Sequence, residues 1–405
     1  MVSWGMGWNQ QDNWSQYEEA YNDTPVEANL PEGLTASAVS TGERHTCALI
    51  DEGSVYCWGK GWATGLGGDL ERQLVPTEVD LGVGRTAVSI ASSREQTCAV
   101  LDDKSLSCWG DNENGELGIG ETNTQYTPDT VNFGDGRTTV GFSTGSSHTC
   151  AILDNGSLMC WGTSEWGALG LGEKIRRLTP ENVDLGDGRT AVSVSAGGLS
   201  TCAILDNGSI MCWGANFDGL LGIGVPPNGG DLDPEKIYLD VYDTPMYVDL
   251  EPDTVAVSVS VGDEHACAIL DNGSLMCWGH FTKWNWQWDQ YAISPTHVDL
   301  GDGRTAVSVF AGNYYTCAIL DDGSLKCWGW NQYGQLGLNS TDSTGDPSEA
   351  STLDLGDGRT AIAVSAGMEH TCAILDNYSL SCWGRNSHGQ IGLGEGDVGS
   401  DQPYP

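Results

Sequence analysis

Positive charge is what this chain of 405 residues has least of: 17 Lys and Arg stand against 56 Asp and Glu, a formal net charge of −39. Phosphate backbones are held by clusters of basic side chains. No such cluster occurs, so DNA, RNA and anionic lipid surfaces are poor partners. Strong like charge keeps a protein soluble at some cost in self-repulsion, which a saline exterior would screen. No run of 18 or more apolar residues occurs, so no segment reads as a membrane-spanning helix. Met1-Val-Ser-Trp-Gly5 has neither the basic nor the apolar region of a signal peptide. The expectation is a processed product or a piece of a longer precursor. Catalytic signatures are scarce as well: there is no H-E-x-x-H, no phosphate loop and no dinucleotide fingerprint. Gly141-Phe-Ser-Thr-Gly145 matches G-x-S-x-G, but it occupies a position that reads Val-Ser-Ala-Gly elsewhere, with no strand-to-helix turn after it. The chain is read as no enzyme, with no catalytic residue, no cofactor and no metal.

Unpaired cysteine is missing too. All fourteen cysteines fall in seven copies of one phrase, Cys, nine residues, Cys-Trp-Gly: Cys47 with Cys57, Cys98 with Cys108, Cys150 with Cys160, Cys202 with Cys212, Cys267 with Cys277, Cys317 with Cys327 and Cys372 with Cys382. The spacing between copies is about 51 residues with one longer step, a period of propellers or helical arrays. Sustained 3.6-residue patterning is almost absent. Short alternating runs broken by Asn-Gly, Asp-Gly and Gly-Asp-Gly indicate strands instead. One unit parses into four: 191–197, 201–205, 209–213, and a run led by Pro245. Proline fits only an edge strand, which puts the fourth at the rim. The fold class is therefore all-β: a seven-bladed β-propeller, four antiparallel strands per blade.

A three-residue loop, Asp51-Glu52-Gly53, sets Cys47 opposite Cys57. Opposed antiparallel residues lie about 4.5–5.5 Å apart at Cα, within disulfide reach. The same register in every unit predicts one intra-blade disulfide per blade. Free buried thiols are the alternative; zinc would need His ligands that no spacing supplies. Disulfides persist in oxidising compartments, so the expected address is extracellular or at the cell surface.

Beyond the cysteines, each unit carries the Trp-Gly that closes its third strand. Most follow it with a phrase such as Gly-Gln-Leu-Gly-Leu (334–338) or Gly-Gln-Ile-Gly-Leu (389–393). The second strand begins Ala-Gly-x-x-His-Thr and the fourth carries its proline. In these residues the chain resembles the regulator of chromosome condensation repeat family across 24–405. That resemblance implies a seven-bladed propeller; the paired cysteines depart from its nuclear members and argue against a nuclear role.

Residues 1–23 read as an amino-terminal extension echoing half a blade, and 24–405 as the propeller, closed by residues 24–29 on the last blade. The Trp-Gly tryptophans are packing residues. His45, His148, His265 and His370 are expected to bond backbone between blades. The Asp-Leu-Gly-Asp-Gly-Arg-Thr stretches read as turns whose arginines pair with nearby carboxylates, in preference to calcium loops. Sequons at Asn13, Asn22, Asn155, Asn207, Asn272, Asn339 and Asn377 leave glycosylation open, four of them explained by the hairpin turn itself.

Breaks in a regular scaffold are where function is grafted. One is 224–238; the other, 280–291, supplies Trp284, Trp286, Trp288 and Tyr291 as candidate binding residues, since exposed aromatics favour protein contacts or sugar stacking. Trp8, Trp14, Trp62, Trp166 and Trp330 are further aromatics near loops. No concentrated Trp cluster on a basic–acidic face is apparent. The expected function is a non-enzymatic binding or assembly propeller engaging a protein partner through its loops. The alternatives are a glycan-binding module using the Trp284–Trp288 segment, or a subunit of a surface self-assembly.

Overall fold

The computed structural model describes residues 21–68, 71–134, 136–224, 240–280, 291–301 and 303–394. Seven small antiparallel sheets follow one another, numbered here as blades one to seven by their cysteine pairs. In blade four the strands are Ala191–Ala196, Ser200–Leu205, Ile210–Ala215 and Val241–Tyr247, in that order from the axis to the rim. Neighbouring innermost strands touch all the way round, so the blades close into a ring.

The hairpin register is the one the turn dictates. Cys47 faces Cys57 and Leu49 faces Val55, and Ile50 N–H donates to the Ser54 carbonyl across the turn. All seven pairs are disulfides, with Cα atoms 4.0–4.1 Å apart. That is the close approach of a non-hydrogen-bonded opposed pair, tightened by the bond. The turns also behave as read: Asn155 Oδ1 accepts both the amide and the hydroxyl of Ser157, and Arg85, Arg137, Arg189, Arg304 and Arg359 each pair with the hairpin Asp of their own blade.

Blades are stitched together by the repeat's own small residues. Ser143 Oγ accepts the Ala196 amide at 2.9 Å, and Ser40, Ser195, Ser260 and Ser365 make the same contact with their neighbours. The serine of the G-x-S-x-G match is thus an inter-blade acceptor inside a strand. Each Trp-Gly indole is fully buried, and six of them donate Nε1–H to a loop carbonyl of the preceding blade, as Trp58 does to Gln390 at 2.8 Å. Gly392 lies against that ring at φ +78°, where a Cβ would come within 2.9 Å of Trp58 Nε1. This close approach accounts for the last glycine of the Gly-Gln-Ile-Gly phrase.

The histidines depart from expectation. Their Nε2 atoms meet a threonine hydroxyl of the next blade at 2.7–2.8 Å: His45 with Thr97, His148 with Thr201, His265 with Thr316 and His370 with Thr46. The threonine in turn donates to a loop carbonyl, as Thr46 does to Gln390, which leaves its oxygen to accept from the imidazole. Blade six departs as well. Its fourth strand shrinks to two bridges, Lys326 with Thr352 and Gly329 with Thr344. Asp346 turns the chain there through its bonds to Ser348 and Ala350, and Lys326 Nζ donates to the carbonyls of Leu300 and Pro347.

Strand Tyr21–Glu27 lies antiparallel on Leu380–Arg385 at the rim of blade seven, and Asn29 Nδ2 donates to Leu393 O at 2.7 Å. Val26 and Leu30 pack on the core of that blade and Ala28 is buried in it. Removing residues 1–30 is expected to cost roughly 2–4 kcal/mol, the transfer cost of two partly buried aliphatic side chains plus the lost edge bonds. A thermal midpoint equal to that of the full chain would defeat this account of closure.

Candidate binding face

The turns joining the first and second strands, and the loops joining the third and fourth, emerge on the same side of the ring, since His45 pairs with Gly59 at that end. On the axis these turns enclose a cavity of about 130 Å³, lined by Glu43, Arg94, Asp263 and Asn313 among small residues. Glu43 is fixed by Arg44 at 3.0 Å and Arg94 at 3.4 Å. Asp263 is pushed up to about 6, by burial first and then by the charge of Glu43, with Arg94 opposing. Next to it, burial and the charge of Asp218 push Glu264 up to about 7, against the opposing hydrogen bond from Tyr314. That tyrosine hydroxyl stands 3.2 Å from Glu264 Oε1 and is itself raised to about 12 by burial and this neighbour. Burial also raises Asp218, which His280 approaches at 3.9 Å.

From Tyr314 an aromatic path crosses blades six and seven. Trp330 stands edge-on to Tyr314 and Tyr333, at 6.3 and 5.6 Å, and the Arg385 guanidinium lies 4.8 Å over Tyr333 while pairing with Glu369. Such edge-to-face and cation–π contacts hold side chains in place without burying them. Lys60 caps the Trp62 ring at 3.9 Å, and Trp62 Nε1 donates to Glu95. Trp166 meets Phe217 edge-on at 5.2 Å. Around His388, burial and then Arg44, Lys60, Arg385 and Arg72 drive the imidazole down to about 4. The face is therefore bipolar: the cations Arg44, Lys60, Arg72 and Arg385 gather over blades seven and one, and the raised carboxyls of Asp218, Asp263 and Glu264 over blades four and five.

The structure adds a grouping to the loop aromatics read from sequence. Trp62, Trp166 and Trp330, scattered in sequence, stand on one face, Trp62 against Lys60 and Glu95 and the other two against aromatic neighbours. The shared position, a few residues past each Trp-Gly, was the signal that would have grouped them. Trp284, Trp286 and Trp288 lie outside the described residues. Tyr291 is half-buried, immediately before the rim strand Ala292–His297 of blade five. Among the described residues no group of three or more His, Cys, Asp or Glu is arranged to hold a metal ion.

The family profile described as regulator of chromosome condensation (RCC1) repeat matches residues 36–61, 87–116, 140–165, 191–220, 256–283, 306–335 and 361–390, one stretch per blade. A second profile of the same repeat matches 106–152, 155–204 and 322–374. The chain belongs to the regulator of chromosome condensation repeat family. Within this family it is 28% identical over 397 residues to the ultraviolet-B receptor UVR8 of Arabidopsis thaliana, covering 98% of this chain and 75% of that protein. Among solved structures it is similar to human WBSCR16, with a TM-score of 0.71 at 16% identity over 90% of each chain. It is also similar to yeast RCC1 (Prp20), solved with Kap60 bound, with a TM-score of 0.69 at 20% identity over 86% of this chain and 80% of that one. At these identities the solved structures speak to the fold.

Proposed function

We propose that this repeat-family propeller is an exported, non-catalytic module that binds a protein partner through its loop-bearing face. The observation that carries the proposal is the bipolar face itself. Half-buried Trp, Tyr and Arg side chains, the types that dominate interface energetics, are held by neighbours around a shallow axial cavity on a rigid ring. Charges of both signs fix the orientation of a complementary partner and steer its approach. Yeast RCC1 seen with Kap60 supports protein binding as a use of this fold. Seven disulfides, with no free cysteine, support export, because cytosolic thiols stay reduced.

The test is affinity capture from the native extracellular milieu with the parent chain and a Trp62→Ala, Trp330→Ala variant. The parent is expected to retain a discrete partner identified by mass spectrometry. Each truncated anchor should cost about 2 kcal/mol or more, so the double variant loses it. Equal recovery by both proteins sinks this assignment of the face. Glycan-array binding by both, abolished by Ala at Trp284, Trp286 and Trp288, would favour the sugar-binding alternative.

A further inference from the structure

The opposite side of the ring, where the disulfide hairpins turn, carries a feature of its own. In every blade the innermost strand begins with a β-bulge. The register shifts between Ala191 and Ser193 in blade four, between Ala256 and Ser258 in blade five and between Ala306 and Ser308 in blade six, with the same slip in the other four. A bulge sets two residues against one and re-aims the extra side chain. The residue turned out is Val88, Val140, Val192, Val257, Val307 or Ile362, each 50–62% exposed, with exposed Ser37 in blade one. Because the innermost strands ring the axis, these six form an aliphatic collar around its hairpin-side mouth. Scattered exposed aliphatics need no explanation. The same β-branched type turned to solvent at one equivalent position in six blades is a patch of the kind that marks an interaction site.

The surroundings say what such a partner must carry. Hairpin carboxylates encircle the collar, and in five blades an arginine of the adjoining turn neutralises one of them. Blades one and five have no such arginine, and blade one carries Ser37 in place of the aliphatic residue; in blade five the turn reads Glu251-Pro-Asp-Thr254, and Glu251, Asp253 and Asp271 are all exposed. Uncompensated negative charge and the aliphatic collar therefore coincide beside Val257, with Val192 and Val307 in the flanking blades.

We propose that the hairpin face docks a basic peptide segment of a partner protein, seating an aliphatic side chain on Val192, Val257 and Val307 while its Lys or Arg residues meet Glu251, Asp253 and Asp271. Neither an acidic segment nor an anionic membrane fits this charge. The site is separate from the aromatic face, so either can fail without the other.

Calorimetric titration of the full chain at low salt tests it with two short synthetic peptides, one alternating Lys and Ile, the other alternating Lys and Ser. The Lys–Ile peptide is expected to bind about tenfold or more tighter than the Lys–Ser peptide. Val192→Ser, Val257→Ser and Val307→Ser together should erase that advantage, leaving the Lys–Ser affinity unchanged. Serine already stands at this position as Ser37, and an unchanged thermal midpoint confirms the fold. Glu251→Gln with Asp253→Asn should weaken both peptides alike. Equal affinity of the two peptides, binding of neither, or a Lys–Ile affinity indifferent to the three serines overturns the proposal.

Discussion

Reduction of the seven disulfides is expected to unfold the ring at neutral pH. Each bond closes a hairpin of eleven residues from cysteine to cysteine, and cross-linking so short a loop removes about 2–3 kcal/mol of chain entropy from the unfolded state. Seven such terms together exceed the 5–15 kcal/mol by which a native domain normally outweighs its unfolded chain. The bonds lie fully buried between the middle strands, in the clusters that also hold the indole of the next blade, as Cys150 and Cys160 do with Trp213. Reduction leaves pairs of thiols crowded at 4.0–4.1 Å between Cα atoms, so lost packing adds to lost constraint. The expected result is that the guanidinium transition of the oxidised chain is absent in reductant, the chain being unfolded before denaturant is added. One pair replaced, Cys150→Ala with Cys160→Ala, should give a single step of roughly 2–3 kcal/mol. An unchanged midpoint for the fully reduced chain would mean that apolar burial carries the ring alone. It would also remove the physical basis for an exported address.

Much of this architecture is written locally. The nine residues between cysteines contain both strands and their turn, so pairing partner, register and cross-link follow from one hairpin read on its own. Period and composition then extend one blade to seven. What stays hidden depends on neighbours in space. The alternation Ala-Val-Ser-Val of 191–194 puts Val192 and Val194 on one side of a regular strand. The bulge separates them, so that Val194 packs inward while Val192 turns to solvent. Likewise nothing in the hairpin shows that His148 meets Thr201, because that contact is made 53 residues away across a blade boundary. The bipolar face is hidden for a related reason. Its members sit on loops of unequal length: only the packing of neighbouring blades lays Arg385 over Tyr333, and only closure of the circle sets the charge of Glu43 against Asp263.

Those buried histidines set the second large expectation, an acid transition with an unusual shape. Burial holds His45, His265 and His370 at about 3 and His148 at about 4, against an ordinary value of 6.5. The unfolded chain therefore takes up four protons near pH 6.5 that the folded ring refuses. Their contribution is complete above 6.5 and is lost as pH falls towards 3. Each imidazole stands for on the order of 4 kcal/mol over that span. Buried carboxyls act in the opposite sense: Glu116 and Glu264 are raised to about 7 and Asp263 to about 6, so the folded state gains protons there first. Between about pH 6.5 and 5 the two sets largely offset each other and stability should change little. Below the ordinary carboxyl value of 4.5 those acids approach protonation in both states, and the four histidines still distinguish the states, joined by His388 and by the lowered Asp103 and Asp322. The four imidazoles alone should then contribute a fall of about 5 kcal/mol per pH unit, the slope of four protons. Gln96 occupies the same place in blade two and donates to the carbonyls of Gly145 and His148, so glutamine is compatible with the site. The variant with Gln at positions 45, 148, 265 and 370 should match the parent near pH 7 and keep its guanidinium midpoint well below pH 4. If parent and variant lose stability in parallel as the pH drops, the imidazoles are not what limits the ring in acid.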